Sequence, residues 1–428
     1  MSYADFLERK RKAAPQVGVD REPGDVHPLL HGWQREGVLW ALHTGRCALF
    51  WDCGLGKTFA QIEWARLSAD TSLIVAPLSV ARQTVREAHK IDVDVRYVRD
   101  GADVDGPGVW ITNYEMVDRF DPALFGAVVL DESSILKNVD GKTRRALTTG
   151  FSSIPRRLAC TATPAPNDVA ELTNHAEFLG VMSRAEMLAA YFVNDEKNWR
   201  LKGHAAGAMF AWMSTWVHAL RSPADMGYPA DDYVLPELRI TRDVVDAHIT
   251  PMEGQMFATD LGGVGGRANV RRQTLDARVK RAAELADHDE QAIVWCALND
   301  EAAQVAALID GAVNVPGAWT PDAKAQALED FQDGKTRVLV TKCQIAGFGM
   351  NFQNAHHMIF LGLGDSYESY YQSIRRCWRF GQTEPVDVRI VVSAIEQQIV
   401  NNVVRKEREA TAWTDALMRA MHPVLETA

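Results

Sequence analysis

Short apolar runs alternate with segments of helical spacing along most of the chain. The runs are rich in β-branched or aromatic residues and are bounded by turn residues, a pattern typical of parallel strands joined by helices. In the first half they lie at residues 47–51, 72–76, 96–99, 109–112, 127–130 and 157–160. A second series lies at residues 291–295, 313–315, 337–341, 357–361 and 386–392. The pattern therefore predicts two α/β units, each built on a parallel sheet.

The segment between the two series has a different pattern. From residue 171 to about 221 the strand signal disappears, and Ala, Met and Trp recur at helical spacing, which predicts a helical insertion. A glycine-rich stretch at 261–267 favours a flexible joint before the second unit. The predicted divisions are an N-terminal extension (1–25), a first unit (26–240), a linker (241–270) and a second unit that ends in a helix (271–428). The helical insertion is predicted at about 171–235, within the first unit.

The composition is that of a folded globular protein. Of the 428 residues, 47% are hydrophobic and 24% are charged, which excludes disordered, collagen-like and fibrous classes. The formal net charge is −10. This charge does not exclude a polyanionic partner, because charges more than about 8 Å apart are largely screened at physiological salt and a local basic track can still hold phosphates.

The cysteines and the apolar stretches indicate in which cellular compartment the protein is expected. The six cysteines form no Cys-x-x-Cys pair and have no histidine at zinc-finger spacing, so we expect no disulfides and no zinc, and a reducing cytoplasm fits best. The charged N-terminus lacks the apolar region of a secretory signal. The uncharged stretch 344–364 contains too many polar residues and glycines for a membrane span, so we expect no membrane contact.

A glycine-rich turn, CGLGKT, follows the first predicted strand and precedes a helical run. Glycines at Gly54 and Gly56 let successive backbone N–H groups turn toward a phosphate. Lys57 would supply a point charge to the phosphates, and Thr58 would offer its hydroxyl to Mg²⁺. The turn therefore predicts a phosphate loop that binds ATP.

The tripeptide Gly-Lys-Thr alone is not specific, because it occurs again at residues 141–143 and 334–336. Only the first copy has a strand before it and a second glycine two positions upstream. Trp51 stands in the place of the leading glycine of the strict pattern. The other two copies are interpreted as turns ahead of a helix and a strand.

Two acids end the apolar run that precedes residue 131. Asp131 and Glu132 would lie at the carboxyl edge of the sheet, where ligands of α/β proteins bind. Asp131 would hold Mg²⁺, and Glu132 would orient or deprotonate the attacking water. A surface acidic turn is the alternative, but the position about 75 residues after a phosphate loop favours the site.

These segments together resemble the helicase superfamily 2 ATPases, and within them the Swi/Snf branch of double-stranded nucleic-acid translocases. Residues 30–37, LHGWQREG, match the Leu-x-x-aromatic-Gln-x-x-Gly segment with which that branch's motor begins. The resemblance implies that Gln34 contacts adenine. Residues 161–164 are similar to the family's coupling segment, whereas Ser134 stands where the family has a histidine.

Further segments are similar to those with which this family grips the nucleic-acid backbone. They include residues 75–80 and 112–115, which are predicted strand-to-helix junctions suited to phosphate contacts. An ordinary βα turn is an equally open interpretation of each segment. The residues expected to contact the nucleic acid are Pro77, Ser79, Thr112, Asn113, Lys137, Thr341 and Asn351.

Two segments of the second unit extend the resemblance. Residues 347–351, GFGMN, look like the fifth motif, which implies that Gly349 contacts the nucleotide. Residues 372–382, QSIRRCWRFGQ, look like the sixth. Arg376 and Arg379, at i and i+3, are predicted to share one helix face and to reach the γ-phosphate held by the other unit, with Arg379 as the arginine finger. A solvated basic helix face is the alternative, and it leaves the flanking glutamines unexplained.

The expected fold is two tandem RecA-like parallel-sheet domains of the P-loop NTPase type with a helical insertion. The resemblance implies an ATP- and Mg²⁺-dependent translocase on double-stranded DNA, with a separate protein partner for targeting. A strand-separating helicase and a non-hydrolysing ATP-gated scaffold are the alternatives. No Asn-Gly or Asp-Gly hairpin signal occurs within residues 171–221, which favours translocation over strand separation. A bacterial, archaeal or phage-infected cell is favoured over a eukaryotic nucleus.

Overall fold

The chain forms two compact units, each with its own parallel sheet. The computed structural model describes residues 17–137, 141–195, 199–246, 271–346, 351–364, 366–394 and 396–425. The described residues up to Asp231, with those from Arg408 onward, form the first unit, and Asp232 to Glu407 belong to the second. These two units confirm the predicted fold class, tandem RecA-like domains built on parallel sheets.

The first sheet contains seven strands in the order β3-β4-β2-β5-β6-β1-β9. All neighbouring pairs are parallel, so every connection crosses over the sheet, mostly through a helix. Strands β1, β2, β4, β5 and β6 are almost entirely buried, which explains why they could be predicted as continuous apolar runs. The strands are β1 (Arg46–Trp51), β2 (Thr71–Ala76), β3 (Val95–Tyr97), β4 (Gly108–Asn113), β5 (Ala127–Asp131), β6 (Arg156–Cys160) and β9 (Val217–Leu220).

Helices pack on this sheet and form the insertion that follows β6. Before the insertion lie α1 (Gly32–Thr44), α2 (Lys57–Ser68), α3 (Leu78–Ala88) and α4 (Lys142–Thr148). The insertion contains α5 (Leu172–Leu179), α6 (Arg184–Tyr191) and α7 (Ala206–Met213). Its buried residues join the main core of the first unit.

Two strand features of the insertion differ from the predicted all-helical segment. Val217–Leu220 forms β9 and pairs with β1. A short apolar run of this kind cannot be distinguished from a buried helical turn by periodicity alone. The strands β7 (Phe192–Asn194) and β8 (Trp199–Leu201) form an antiparallel pair. This pair carries no Asn-Gly or Asp-Gly signal, because its connection is longer than the two-residue turns in which that signal occurs.

The second sheet contains six strands in the order β10-β15-β14-β11-β13-β12. All of its pairs are parallel. The strands are β10 (Leu238–Val245), β11 (Ala292–Cys296), β12 (Ala312–Val315), β13 (Val338–Lys342), β14 (His357–Leu361) and β15 (Val386–Ser393). The helices are α8 (Leu275–Leu285), α9 (Asn299–Leu308), α10 (Pro321–Gln332), α11 (Cys343–Ala346) and α12 (Tyr367–Cys377).

Strand β10 lies where the sequence pattern placed the end of the first unit and the start of a linker. It pairs along its whole length with β15, from Leu238 opposite Val386 to Val245 opposite Ser393. Most of its side chains are exposed, as befits the edge strand of a sheet, so the segment lacks the apolar run that identified the central strands. The predicted glycine-rich joint at 261–267 lies outside the described residues.

The C-terminal helix, α13 (Gln397–Leu425), contributes residues to both units. Leu417 and Met421 are buried in the core of the first unit, and Trp413 packs against the same cluster. These three residues recur every four positions and therefore form one apolar stripe. The sequence pattern had assigned this helix to the second unit. Among the helices of the described ranges, none combines the length and hydropathy that a bilayer-spanning segment needs.

Candidate nucleotide-binding site

Three adjacent strands bring the predicted phosphate loop and the acid pair to one edge of the first sheet. Leu49 of β1 and Asp131 of β5 both lie opposite Cys160, on the intervening strand β6. The phosphate loop follows β1, Thr161 follows β6 and Glu132 follows β5. Because carboxyl ends of parallel strands meet at one edge, segments more than 100 residues apart in sequence converge there.

The phosphate loop has a backbone shape that depends on its glycines. Gly54 and Gly56 have φ angles of 89° and 70°, a region that glycine adopts without steric cost. A Cβ at Gly56 would lie 2.3 Å from Nε2 of Gln34, so any other residue there would displace the Gln34 side chain. Lys57 begins α2, and its Nζ donates to the backbone oxygens of Trp51 at 2.8 Å and Asp52 at 3.1 Å. Its ammonium group therefore lies over the loop.

Gln34 lies beneath the phosphate loop and is almost completely buried. Its Nε2 donates to the carbonyl of Leu55 at 3.1 Å, and its Oε1 accepts from the N–H of His31 at 2.8 Å. These bonds join the start of α1 to the loop. Gln34 therefore adjoins the candidate nucleotide site, and its contact with adenine stays a prediction.

Asp131 is buried at the end of β5. Its Oδ2 accepts from Nε2 of Gln61 at 2.9 Å, and its Oδ1 accepts from the N–H of Glu132 at 3.0 Å. Burial raises the pKa of Asp131, while the Gln61 hydrogen bond and the charge of Lys57 oppose that rise. Thr58 lies in the first turn of α2, beside Lys57. Carboxylate and hydroxyl oxygens next to a phosphate loop are a donor set that fits Mg²⁺.

Glu132 connects the acid pair to the next strand. Its φ of 51° is uncommon for a residue other than glycine and is associated with functional sites. Its Oε2 accepts from Oγ1 of Thr161 at 3.4 Å, and the same oxygen of Thr161 accepts from the N–H of Thr163 at 3.1 Å. The acid pair is thus hydrogen-bonded directly to the coupling segment, although Ser134 replaces the histidine of the family pattern.

Three residues that sequence reasoning missed support this edge of the sheet. Gln61 lies four residues after Lys57 on α2, and its i+4 spacing was the available signal. Tyr114 donates its hydroxyl to the backbone oxygen of Asp131 at 2.6 Å. His175 Nε2 lies 3.1 Å from Oγ of Ser133, and burial lowers the pKa of His175 to about 4. No sequence spacing pointed to Tyr114 or His175.

The two candidate arginines of the second unit do not share a helix face, because α12 ends at Cys377. Arg376, inside the helix, is buried and donates from Nε to the Gln372 carbonyl at 3.2 Å and from Nη2 to Gln372 Oε1 at 2.9 Å. Arg379 lies in the turn beyond the helix and donates to Oδ1 of Asn351. The prediction of one shared face was wrong, since the i, i+3 rule holds only where the helix continues.

Gly381 and Gln382 explain why the chain turns at this point. Gly381 has a φ of 89°, and a Cβ there would lie 2.8 Å from Nε2 of Gln353. Gln382 Nε2 donates to the carbonyls of Gln353, Ala355 and Cys377 at 3.1 to 3.3 Å. Its Oε1 accepts from the next two backbone N–H groups. This glutamine therefore supports the segment that carries Arg379.

The residues predicted to contact nucleic acid have mixed placements. Thr112, Asn113 and Thr341 are buried, with Asn113 accepting from the Tyr97 hydroxyl and Thr341 donating to the Val315 carbonyl. Their side chains are covered by neighbouring elements, which does not fit the predicted contacts to phosphate. Of the others, Pro77 precedes α3, Lys137 follows β5, and Asn351 accepts a hydrogen bond from Arg379. The Ser79 side chain lies outside the described residues, as does Gly349, which was predicted to contact the nucleotide.

The fold and the site define a protein with a phosphate loop and an acid pair in the first α/β unit and an arginine-containing turn in the second. The helicase conserved C-terminal domain family matches residues 276–381, which include both candidate arginines. The chain is 21% identical over 437 residues to a SWI/SNF-related matrix-associated actin-dependent regulator of chromatin subfamily A-like protein 1 of Drosophila melanogaster. That alignment covers 92% of this chain and 58% of the fly protein.

Two further proteins are similar over nearly the whole chain. The mouse DNA annealing helicase and endonuclease ZRANB3 is 22% identical over 444 residues, covering 90% of this chain and 41% of that protein. A solved structure of a Sulfolobus solfataricus SWI2/SNF2 ATPase core in complex with dsDNA is 19% identical, covers 95% of this chain and 97% of that chain, and has a TM-score of 0.44.

The chain is therefore similar to Swi/Snf-related proteins over most of its length, and residues 276–381 match the helicase conserved C-terminal domain family, in agreement with the motif resemblance. It spans about three fifths of the fly relative and two fifths of the mouse relative.

Proposed function

We propose that the chain is an ATP-dependent translocase that hydrolyses ATP and moves along double-stranded DNA. The observation that carries the proposal is the convergence of Lys57, Asp131, Glu132 and Thr161 at one sheet edge. The names of the relatives, a SWI/SNF-related regulator of chromatin and a DNA annealing helicase, support DNA as the track.

Each residue of this edge has a role in the proposed reaction. Lys57 binds the β- and γ-phosphates, and Thr58 and Asp131 hold Mg²⁺, which when bound neutralises phosphate charge. Glu132 orients the attacking water and accepts its proton. Arg379 from the second unit stabilises the charge that develops on the γ-phosphate, with Arg376 holding the helix that precedes it.

The proposed contacts to DNA are to backbone phosphates. Binding is therefore independent of base sequence and weakens steeply as salt rises, because each neutralised phosphate releases counterions. Targeting to particular DNA structures is assigned to a separate protein partner, and the proposed location is the cytoplasm.

A strand-separating helicase is the second candidate, and the β7–β8 hairpin is the observation that favours it. The hairpin lies within the insertion, and Val193 is exposed on it. An exposed apolar residue on a hairpin is the kind of feature that can wedge the strands of a duplex apart. Retention of Glu132 at the sheet edge argues against a non-hydrolysing scaffold.

Two assays on the full chain separate these functions. A translocase displaces a third strand from a triplex in the presence of ATP and leaves a forked duplex paired, whereas a helicase also opens the fork. We expect triplex displacement alone, with Glu132→Gln as the inactive control. Failure to displace the triplex under conditions where ATP is hydrolysed would refute translocation.

A further inference from the structure

A cluster of histidines with one carboxylate lies at the amino-terminal edge of the second sheet. The ligands of α/β proteins ordinarily bind at the opposite, carboxyl edge. His288 and Glu290 precede β11, His356 precedes β14 and His357 begins it. The two strands are neighbours, with His357 opposite Ala292. The pairing of the strands therefore brings together side chains separated by 69 residues in the sequence.

The side chains of this cluster approach one another at metal-ligand spacing. One ligand atom from each of His288, Glu290 and His357 lies within 4.8 Å of the other two. Nε2 of His357 is 2.5 Å and Nε2 of His356 is 3.5 Å from Oε2 of Glu290. The ring centroid of His357 also lies 4.5 Å from that of His288 and 4.4 Å from that of His356.

The loop that carries His288 and Glu290 is ordered by a neighbouring arginine, and the cluster is accessible through Glu290 and His357. Arg337 donates from Nη1 to the backbone oxygens of Ala286 and His288, at 2.9 and 2.6 Å, and so orders the loop before β11. The side chain of Glu290 is 58% exposed and that of His357 is 25% exposed, which leaves a path for an ion. Nδ1 of His288 is buried, and among the described residues it has no hydrogen-bond partner.

We propose that His288, Glu290 and His357 bind a divalent transition-metal ion of the zinc class, with His356 able to complete the coordination. Imidazole nitrogens with one carboxylate oxygen suit Zn²⁺ and its neighbours better than Mg²⁺ or Ca²⁺, which prefer oxygen alone. The ion would join the loop before β11 to the start of β14 and so stabilise the second unit. The inference does not depend on the proposed motor activity.

The sequence pattern had favoured a protein without zinc, on the spacing of cysteines and histidines. The ligands proposed here come from two segments that only the sheet brings together, so no short spacing could reveal them.

The test uses the tag-free full chain after treatment with a chelator. Zn²⁺ alone is titrated in competition with a chromogenic chelator, and thermal unfolding is followed with and without the ion. We expect one site in the wild type, weakened at least tenfold in Glu290→Gln and in His357→Ala. Zn²⁺ should raise the unfolding temperature of the wild type and not of these variants.

The matched control is His89→Ala, which removes an exposed histidine of the first unit and should bind Zn²⁺ like the wild type. Titration with Co²⁺ identifies the ligands, since cysteine ligation adds an intense sulfur-to-metal band that this site lacks. The proposal is overturned if the wild type binds no Zn²⁺, or if Glu290→Gln and His357→Ala both bind it as tightly as His89→Ala. Glu290 is exposed, so its variant is expected to fold even if His357→Ala does not.

Discussion

At the scale of single residues, the candidate site combines groups that the sequence could identify with groups that it could not. Lys57, Asp131 and Glu132 belong to short motifs whose chemistry requires those residue types. Gln61 and Tyr114 act through contacts with Asp131 that only the folded sheet creates. Local motifs therefore predict the reacting groups, and the residues that hold them in position follow from tertiary packing.

Lys57→Ala and Glu132→Gln are each expected to lower kcat for ATP hydrolysis by about a hundredfold or more, because they remove the proposed phosphate-binding charge and the proposed general base. Lys90→Ala, at an exposed position of the same unit, is the control and should leave the rate unchanged. Steady-state ATPase measurement with duplex DNA present checks this. A wild-type rate in either site variant would contradict the assigned roles.

His218 gives the first unit a dependence on pH. Its Nδ1 accepts from Nε1 of Trp51 at 2.9 Å, and burial lowers its pKa to about 4 from 6.5. Between pH 6.5 and about pH 4, His218 is protonated in the unfolded chain and neutral in the folded chain. The free energy of unfolding should therefore fall as the pH falls through this window, by at most about 3 kcal/mol from this residue.

The variant His218→Gln should show a shallower fall in stability between pH 6.5 and 4 than the wild type, because glutamine does not titrate. His175, whose pKa burial also lowers to about 4, keeps some of the dependence in both proteins. Urea unfolding at a series of pH values gives the two slopes. Equal slopes would show that folding does not lower the pKa of His218.

At the scale of secondary structure, the central strands were predictable and the edge strands were not. The buried strands of both sheets are apolar runs between turn residues. Strand β10 is exposed and polar at an edge, and β9 is too short to be distinguished from a helical turn. The sequence pattern also placed the end of α12 too late. The helix ends at a turn that depends on Gly381 and on contacts from Gln382, and these contacts are not part of the helical pattern.

Gln382→Ala is expected to lower the free energy of unfolding of the second unit by about 2–4 kcal/mol, because it leaves several buried backbone groups without partners. Gln326→Ala, on the exposed side of α10, should change stability by no more than about 0.5 kcal/mol. Chemical denaturation of both variants checks this. A change for Gln382→Ala as small as that of the control would contradict the supporting role assigned to this side chain.

At the scale of the whole molecule, the chain contains two sheets of the same class and one helix that contributes to both units. The apolar stripe of Trp413, Leu417 and Met421 could be recognised in the sequence from its helical spacing. The core against which it packs could not be predicted. The spacing of apolar residues shows that a helix buries one face, and it does not show which core receives that face.

Leu417→Ala should destabilise the first unit by about 2–5 kcal/mol, although residue 417 is nearly two hundred residues from the rest of that unit in sequence. Arg419→Ala, at an exposed position two residues later, is the control. Limited proteolysis and denaturation of the full chain measure the effect. Equal stability in the two variants would place Leu417 outside the core.

The central claim is that this chain couples ATP hydrolysis to duplex DNA. The most direct measurement is the ATPase rate of the wild type and of Arg379→Ala as duplex DNA is titrated at two salt concentrations. The account predicts strong stimulation by DNA that weakens as salt rises, and a rate on the order of a thousandfold lower for Arg379→Ala. A rate that does not change with DNA would contradict the motor and favour the scaffold.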